Sequence, residues 1–468
     1  MCSINGLINL NRIKITTDIV DNMKNIIVNS ELRGKDGFGY TIFTDSDVIE
    51  YRSLSCPSKE LNNFSIPEDA ILLINNNRAE PTTEYIRNKT LADIQPYKSK
   101  FNFCVHNGTI ANDKKLKKDY DLDIKTDIDS AVLPFLFDLV TTDDEAIKML
   151  SDTIIGSYAT AIYNSVNKKL YLATNYKPLY IAYDSSNSIL YFTSLESYMI
   201  DNNNYNNIFS PLKIMEIKPY TLLSIDLNSR THDIKFHSLY PTKIRNKCIV
   251  LASSGLDSTV AATWAQDQGY EVTLLHFDYH CKAASKEILS IRKIAEHLNC
   301  KLDIINIDFY RDVIHGSTIL DNDVSDINKN NEAGAEFAHE WVPARNLVLM
   351  SIASAYCEAH DIDYIILGGN LEESGAYSDN ELIFQVKFND LLPNALNLNY
   401  KLQVLMPVAN LMKKDIVELG LKLNAPLHLT WSCYEHGDLH CGTCGPCFMR
   451  KTAFKMLNEK EVIKYLND

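Results

Sequence analysis

Two rhythms of apolar and polar residues divide the chain. Up to about residue 235 the apolar runs are short and bounded by turn residues. AILLINNN, FNFCVHNG, YATAIYN, KLYLATN, PLYIAY, ILYFTSL and TLLSIDL are rich in Tyr, Ile, Leu and Val and read as strands. Stretches with helical character interrupt them near Asp18–Glu31 and Asp129–Val140. Many strands with few helices predict stacked antiparallel sheets flanked by helices. Beyond that point strands and helices alternate. CIVLASS, EVTLLHFD, KLDIINID and DYIILGG read as strands, a helix starts near Ser258, and others cover Ala284–His297 and Arg345–His360. This alternation predicts a mostly parallel sheet covered by helices. HSLYPTKIRNK joins the two patterns, giving domains 1–235 and 247–468, one α+β and one α/β. The polar stretch Asp321–Asn331 reads either as a mobile loop near a site or as a plain surface insert, and DNNNYNN at 201–207 as a polar turn.

Composition narrows the class. A chain of 468 residues exceeds one ordinary core, and 46% apolar with 23% charged residues is usual for a globular protein. No apolar run approaches the roughly 20 residues of a membrane span. MCSINGLINL places no basic segment before an apolar one, so it does not read as a secretory signal, and a cytoplasmic location is the expectation. A net charge of −14 disfavours wrapping a polyanion and points to small-molecule partners; it leaves oligomerisation open. Of eleven cysteines, four fall at C-x7-C-x2-C-x2-C: Cys433, Cys441, Cys444 and Cys447. Gly442, Gly445 and Pro446 turn the chain between them. Four thiolates satisfy tetrahedral zinc and leave no open position, so the expected role is structural; an iron–sulfur cluster is the competing reading.

Candidate chemistry starts at Cys2. Removal of Met1 would give this residue both a thiol and a free α-amine, whose pKa of about 7.7–8.0 suits a general base near neutrality. Three further segments belong with it: RGKDGFG at 33–39, NRAEPTTE at 77–84 and HNGTIAN at 106–112. Together they resemble the class II glutamine amidotransferases over roughly residues 2–230. The resemblance implies an Ntn-type αββα sandwich in which Cys2 attacks the glutamine amide. It implies that Arg78 pairs with the glutamine α-carboxylate and that Asn107 and Gly108 form the oxyanion hole. The family's acidic residue for the α-amine falls within TDIDSAV. Asp129 fits the spacing to Val132, with Ala131 where the family has Glu, and Asp127 competes for the role.

In the second half, CIVLASS runs into SSGLDST and then a helix. Small residues and a helix N-terminus suit an anion such as a phosphate. The loop resembles the SGGxDS loop of ATP pyrophosphatases (PP-loop enzymes), with Ser254 where that family usually has glycine. The resemblance implies that Ser253, Ser254, Gly255, Leu256, Asp257 and Ser258 bind ATP, that Asp257 helps hold Mg²⁺ or orient pyrophosphate, and that LHFDY borders the adenine. With VPARN at 342–346, the KKDIVELG helix and SC…CGTCGPC, residues 247–455 resemble 7-cyano-7-deazaguanine synthase. That implies ATP, Mg²⁺ and zinc as cofactors, and glutamine plus a 7-deazaguanine as small-molecule partners. The expected reaction takes 7-carboxy-7-deazaguanine through an adenylate and an amide to the nitrile. The alternatives are an amide- or amidine-forming relative, including one acting on a base in nucleic acid, an asparagine-synthetase-like enzyme, and a binding protein on a decayed enzyme. GGNLEESGAYSDNE at 368–381 offers Glu373, Tyr377 and Asp379, with Phe384 beyond, for a purine-like ring. The cysteine segment is expected to fold over the carboxyl edge of the sheet and close a pocket beside SSGLDST.

Overall fold

Ser3–Asn9 is buried at every position, so the residue that precedes it is held at the end of a central strand. In the computed structural model this strand lies inside a seven-stranded sheet. The structure describes residues 2–80, 88–199, 213–228, 233–240, 245–314, 317, 320, 341–374, 377–435 and 437–466. Outside them lie Met1, residues 81–84 of NRAEPTTE, the tract 201–207, part of the joining segment, the stretch 321–331, and Gly375 and Ala376. The chain divides into two units, Met1–Thr242 and Lys243–Asp468.

In the first unit, one sheet runs Lys213–Glu216, Tyr180–Asp184, Ile189–Thr193, Ser3–Asn9, Leu72–Asn77, Phe38–Phe43, Val48–Ser53. The other runs Ile234–Ser238, Thr221–Asp226, Lys169–Thr174, Gly156–Asn164, Asn102–Ile110, Tyr97–Lys98. All pairings are antiparallel. Ile4, Ile8 and Ile74 of the first sheet share a core with Val105, Ala161 and Leu172 of the second. The helix Thr17–Asn29 covers the other face of the first sheet, packing Ile19, Met23 and Ile26 on Leu7 and Leu73. Val132–Phe137 covers the second sheet, through Val132, Leu133 and Leu136 on Ile162 and Ala173. The layers are therefore helix, sheet, sheet, helix.

The second unit holds a five-stranded sheet in the order Lys301–Asn306, Glu271–Asp278, Lys247–Leu251, Tyr364–Ile366, Gln403–Leu405. Every pairing is parallel. Parallel neighbours need crossovers, and Leu256–Asp267, Ala284–Leu298 and Arg345–His360 provide them. One face buries Val250 and Leu274 against Ala261, Ala265 and Ile291. The other buries Ile249, Leu275 and Ile365 against Met350, Ala353 and Phe388. All strands end on the same edge, so the loops after Leu251, Asp278 and Ile366 converge there. Leu382–Ala395 and Gly445–Met456 add two helices that the apolar rhythm does not mark.

Candidate functional site

In the first unit, strand pairing brings the amidotransferase motifs together. Ser3 pairs with Asn77, so Cys2 sits against Arg78 and Ala79. The Ala79 N–H points at the Cys2 sulfur at 3.4 Å. The glycine-rich loop braces the same turn: the Arg78 N–H donates to Gly37 at 2.8 Å, and the Asp36 N–H to Arg78 at 2.9 Å. Asp36 also accepts from the Glu80 N–H at 2.9 Å. Beneath lies a polar ladder in which Asn5, Asn75, Asn77 and Ser30 bond one another.

Arg78 is 2% exposed and Asn107 is fully buried. Nε and Nη2 of Arg78, and both polar atoms of the Asn107 side chain, have no partner among the described residues. Leaving such groups unpaired costs about 1–3 kcal/mol each, more for charge, so they are available to a ligand. The Asn107 backbone is held from its neighbour: Gln95 and Asn76 side-chain amides both donate to the His106 carbonyl at 3.1 Å. Gly108 has φ +156°, and a Cβ there would lie 1.9 Å from the Ser157 carbonyl oxygen. Only glycine fits. His106, which the sequence reading did not single out, contacts Ser130 Oγ at 2.7 Å and the Ser157 carbonyl at 3.2 Å. Burial holds its imidazole below the ordinary value, so it stays neutral.

Of the two candidate aspartates, Asp127 is exposed. Asp129 is half-buried and accepts from the Ile110 N–H at 2.5 Å and the Ser130 N–H at 2.6 Å. Burial drives the Tyr97 hydroxyl well above its ordinary range; Arg78 opposes this, while Cys2, Asp93 and Asp129 add to it. Arg78, Cys2 and Asp129 thus surround one tyrosine. Ala131, where the family carries Glu, packs against Tyr97 and Ile128, a place with no room for a solvated carboxylate.

In the second unit a cavity of about 240 Å³ opens at the carboxyl edge of the sheet. Ser253, Gly255, Leu256, Asp257 and Ser258 line it, as do His276, Phe277 and Tyr279 from the adjoining strand end. Ser254 is buried behind the loop at φ +65°, a left-handed backbone that favours glycine. Its hydroxyl has no partner among the described residues, and its carbonyl accepts from the Trp431 N–H at 3.0 Å. Gly368 lets the next strand end approach, since a Cβ there would lie 2.7 Å from the Ser258 nitrogen.

Lys413, which the sequence reading placed only in a matching helix, stands at the centre. Its ammonium donates to Asp257 at 2.6 Å and to Glu373 at 3.0 Å. Burial opposes its charge, but the two carboxylates outweigh this and hold it above its ordinary range. Burial in turn pushes the Asp257 carboxyl up against the pull of Lys413. Asn370 donates to the same Asp257 oxygen at 3.1 Å, and the other oxygen is buried without a partner among the described residues. Glu373 lines the cavity; Tyr377 and Asp379 lie outside the lining. Tyr377 stacks on Trp341 with centroids 6.3 Å apart, and Phe384 packs at the edge of the core.

Trp431, Ser432, Tyr434, Pro446 and Arg450 close the cavity, so the cysteine segment does cover this edge. Sulfurs of Cys433, Cys441, Cys444 and Cys447 lie within 4.8 Å of one another. Tetrahedral zinc with bonds of about 2.3 Å requires sulfurs about 3.8 Å apart, and Cys441 and Cys447 are 4.0 Å apart. Backbone N–H groups of Cys441 and Cys444 point at the sulfurs of Cys433 and Cys441 at 3.3 Å, as thiolates require. The four residues form a cluster able to hold a metal. Behind it, buried Arg450 bonds Thr430, Leu427 and Glu461, fixing the segment that carries Trp431. Among the described residues no helix is long and apolar enough to cross a membrane.

Residues 247–458 match the family described as Queuosine biosynthesis protein QueC, and residues 85–201 match a Glutamine amidotransferase domain. The chain is 44% identical to a 7-cyano-7-deazaguanine synthase of Saccharolobus solfataricus, over 99% of each chain. It is 42% identical to a Sulfolobus acidocaldarius protein of the same name, over 99% of this chain and 100% of that one. A Methanothrix thermoacetophila protein of that name is 38% identical over 44% of this chain and 93% of its own.

Proposed function

The chain belongs to the 7-cyano-7-deazaguanine synthases, in the form that carries a glutamine amidotransferase half, and on that premise we propose a division of labour between its two units. It is an ATP-dependent carbon–nitrogen ligase that draws ammonia from glutamine and converts 7-carboxy-7-deazaguanine to 7-cyano-7-deazaguanine. The first unit is read as an Ntn-type amidotransferase and the second as a PP-loop enzyme.

In the first unit the Cys2 thiolate adds to the glutamine amide carbon. The unpaired Asn107 amide and the Gly108 N–H receive the oxyanion; the Cys2 α-amine, which took the thiol proton, passes it to the leaving nitrogen, and collapse expels ammonia. Water then cleaves the thioester to glutamate. The two idle nitrogens of Arg78 hold the α-carboxylate as a fork, and Asp129, rather than exposed Asp127, faces the α-amine.

In the second unit the Ser253–Ser258 loop and Lys413 hold the triphosphate. A substrate carboxylate oxygen attacks the α-phosphorus and pyrophosphate leaves. Ammonia displaces AMP to give the amide. A second ATP adenylates the amide oxygen, and loss of AMP gives the nitrile. The vacant Asp257 oxygen suits Mg²⁺, which neutralises triphosphate charge when bound. The four cysteines suit zinc, which would tie the segment bearing Trp431 and Tyr434 over the cavity.

One observation carries this reading: the loop, Lys413 and an aromatic wall open into a single cavity. Aspartate has no flat ring to set against Phe277, Tyr279, Trp431 and Tyr434, which line the cavity. Pyrophosphate release measured with each acceptor tests it. Release is expected with 7-carboxy-7-deazaguanine; release with aspartate alone would contradict it.

A further inference from the structure

The cavity of the second unit has lining residues that the phosphate chemistry leaves unused. Glu287 stands in the first turn of the helix Ala284–Leu298 and lines the cavity with Arg345, Tyr279, Trp431 and Tyr434. Arg345 opens the helix Arg345–His360 immediately after Ala344, whose φ of +52° turns the chain there. Burial opposes the charge of its guanidinium, and the neighbouring Tyr279 favours it. Burial pushes the Glu287 carboxyl up, Arg345 pulls it back, and it settles at about 7. A carboxylate and a guanidinium therefore line the same cavity as the aromatic side chains of Tyr279, Trp431 and Tyr434. Triphosphate has no use for a carboxylate in that position.

We infer that Glu287 and Arg345 together read the amino-pyrimidinone edge of the deazaguanine. That edge presents a donor, a donor and an acceptor: the exocyclic amine, the ring N–H and the carbonyl. Two carboxylate oxygens and a guanidinium N–H present the complementary acceptor, acceptor and donor. The flat ring lies against the aromatic walls, and its five-membered ring with the carboxylate is left to face the Ser253–Ser258 loop. The pair also rejects the adenine of ATP. Adenine offers a ring nitrogen acceptor where the carboxylate needs a donor, so the two ligands of the cavity cannot exchange places. Glu287 is thus assigned as a specificity residue. The inference rests on the reading of this unit as acting on 7-carboxy-7-deazaguanine.

Substrate-triggered ATP cleavage by the full-length protein tests it, with 7-carboxy-7-deazaguanine and with the analogue lacking the exocyclic amine. In the wild type the analogue's KM is expected to be ~10–100-fold higher, with KM for ATP unchanged. Glu287→Gln replaces one acceptor by a donor while keeping the shape. It should raise KM for the natural substrate by ~10–100-fold and bring the two compounds within about 3-fold of each other. Equal use of the two compounds by the wild type overturns the inference, and needs no variant to fold. So does a Glu287→Gln enzyme that keeps the wild-type preference. Failure of the wild type to cleave ATP with 7-carboxy-7-deazaguanine overturns instead the broader reading on which this one rests.

Discussion

The two units prepare for their ligands in opposite ways. In the first, Arg78 and Asn107 are buried with polar atoms idle among the described residues. In the second, the central cation Lys413 is already held between Asp257 and Glu373. On the function proposed above, the difference follows from what each binds. Glutamine keeps one geometry while charge develops on one oxygen, so donors fixed in advance by strand pairing serve it best. ATP brings several negative charges that leave again as pyrophosphate and AMP. A bare buried lysine would be costly between turnovers, and two carboxylates offset that cost until phosphate competes for the ammonium. One site is a mould; the other is an exchange of partners.

The sharpest way to break that comparison is to remove the exchanged cation. Lys413→Met should lower ATP cleavage by ~10²–10³-fold, with glutamine or ammonium as nitrogen source. It should also leave the half-buried Asp257 and Glu373 carboxylates without their cation, destabilising the second unit by about 1–3 kcal/mol. Glutamate release by the first unit should persist. ATP cleavage at the wild-type rate in this variant would show that Lys413 is only an internal counterion.

How much of this was legible in the sequence depends on how far apart the partners lie along the chain. Cys2, Arg78 and Asn107 sit in short continuous motifs, so residue type and order were enough to single them out. The strand that aligns them, Ser3–Asn9, was not legible: both of its faces are buried, so SINGLIN shows no alternation. Asp127 and Asp129 differ by two positions, and only burial separates them. Lys413 went unread as a site residue because its partner Asp257 lies 156 positions away. The same holds for Glu287 and Arg345, which reach one cavity only because separate helices end at the same edge. Loop composition marked Glu373, Tyr377 and Asp379 alike; it does not say which side chains the turn at Ser378–Asn380 directs to the cavity. The helical rhythm, by contrast, placed Arg345–His360 at its observed bounds.

Removing the metal cluster should act through stability before chemistry. Structural zinc contributes on the order of 10 kcal/mol in zinc-finger peptides. Cys444→Ala should therefore lower the melting temperature of the second unit and loosen Trp431 from the Ser254 carbonyl. Elemental analysis of the wild type should find about one zinc per chain. Soluble, active protein without metal would refute the site.

The smallest expected effect concerns Ser254. A non-glycine residue at φ +65° costs roughly 1–2 kcal/mol. Glycine there would relieve this but lose about 0.4–1 kcal/mol through the unfolded chain. Ser254→Gly should change stability, followed by thermal unfolding, by about 1 kcal/mol or less and keep ATP cleavage. A loss of activity beyond about 10-fold would instead assign the buried hydroxyl to phosphate binding.

The central claim is that nitrogen released at Cys2 becomes the nitrile nitrogen of the product. Mass spectrometry after incubation with 7-carboxy-7-deazaguanine, ATP and glutamine labelled at the amide nitrogen tests this most directly. The wild type should yield labelled 7-cyano-7-deazaguanine. Cys2→Ala should yield none from glutamine and the unlabelled nitrile from added ammonium. An amide or amidine as final product, or labelled nitrile from Cys2→Ala, would contradict the account.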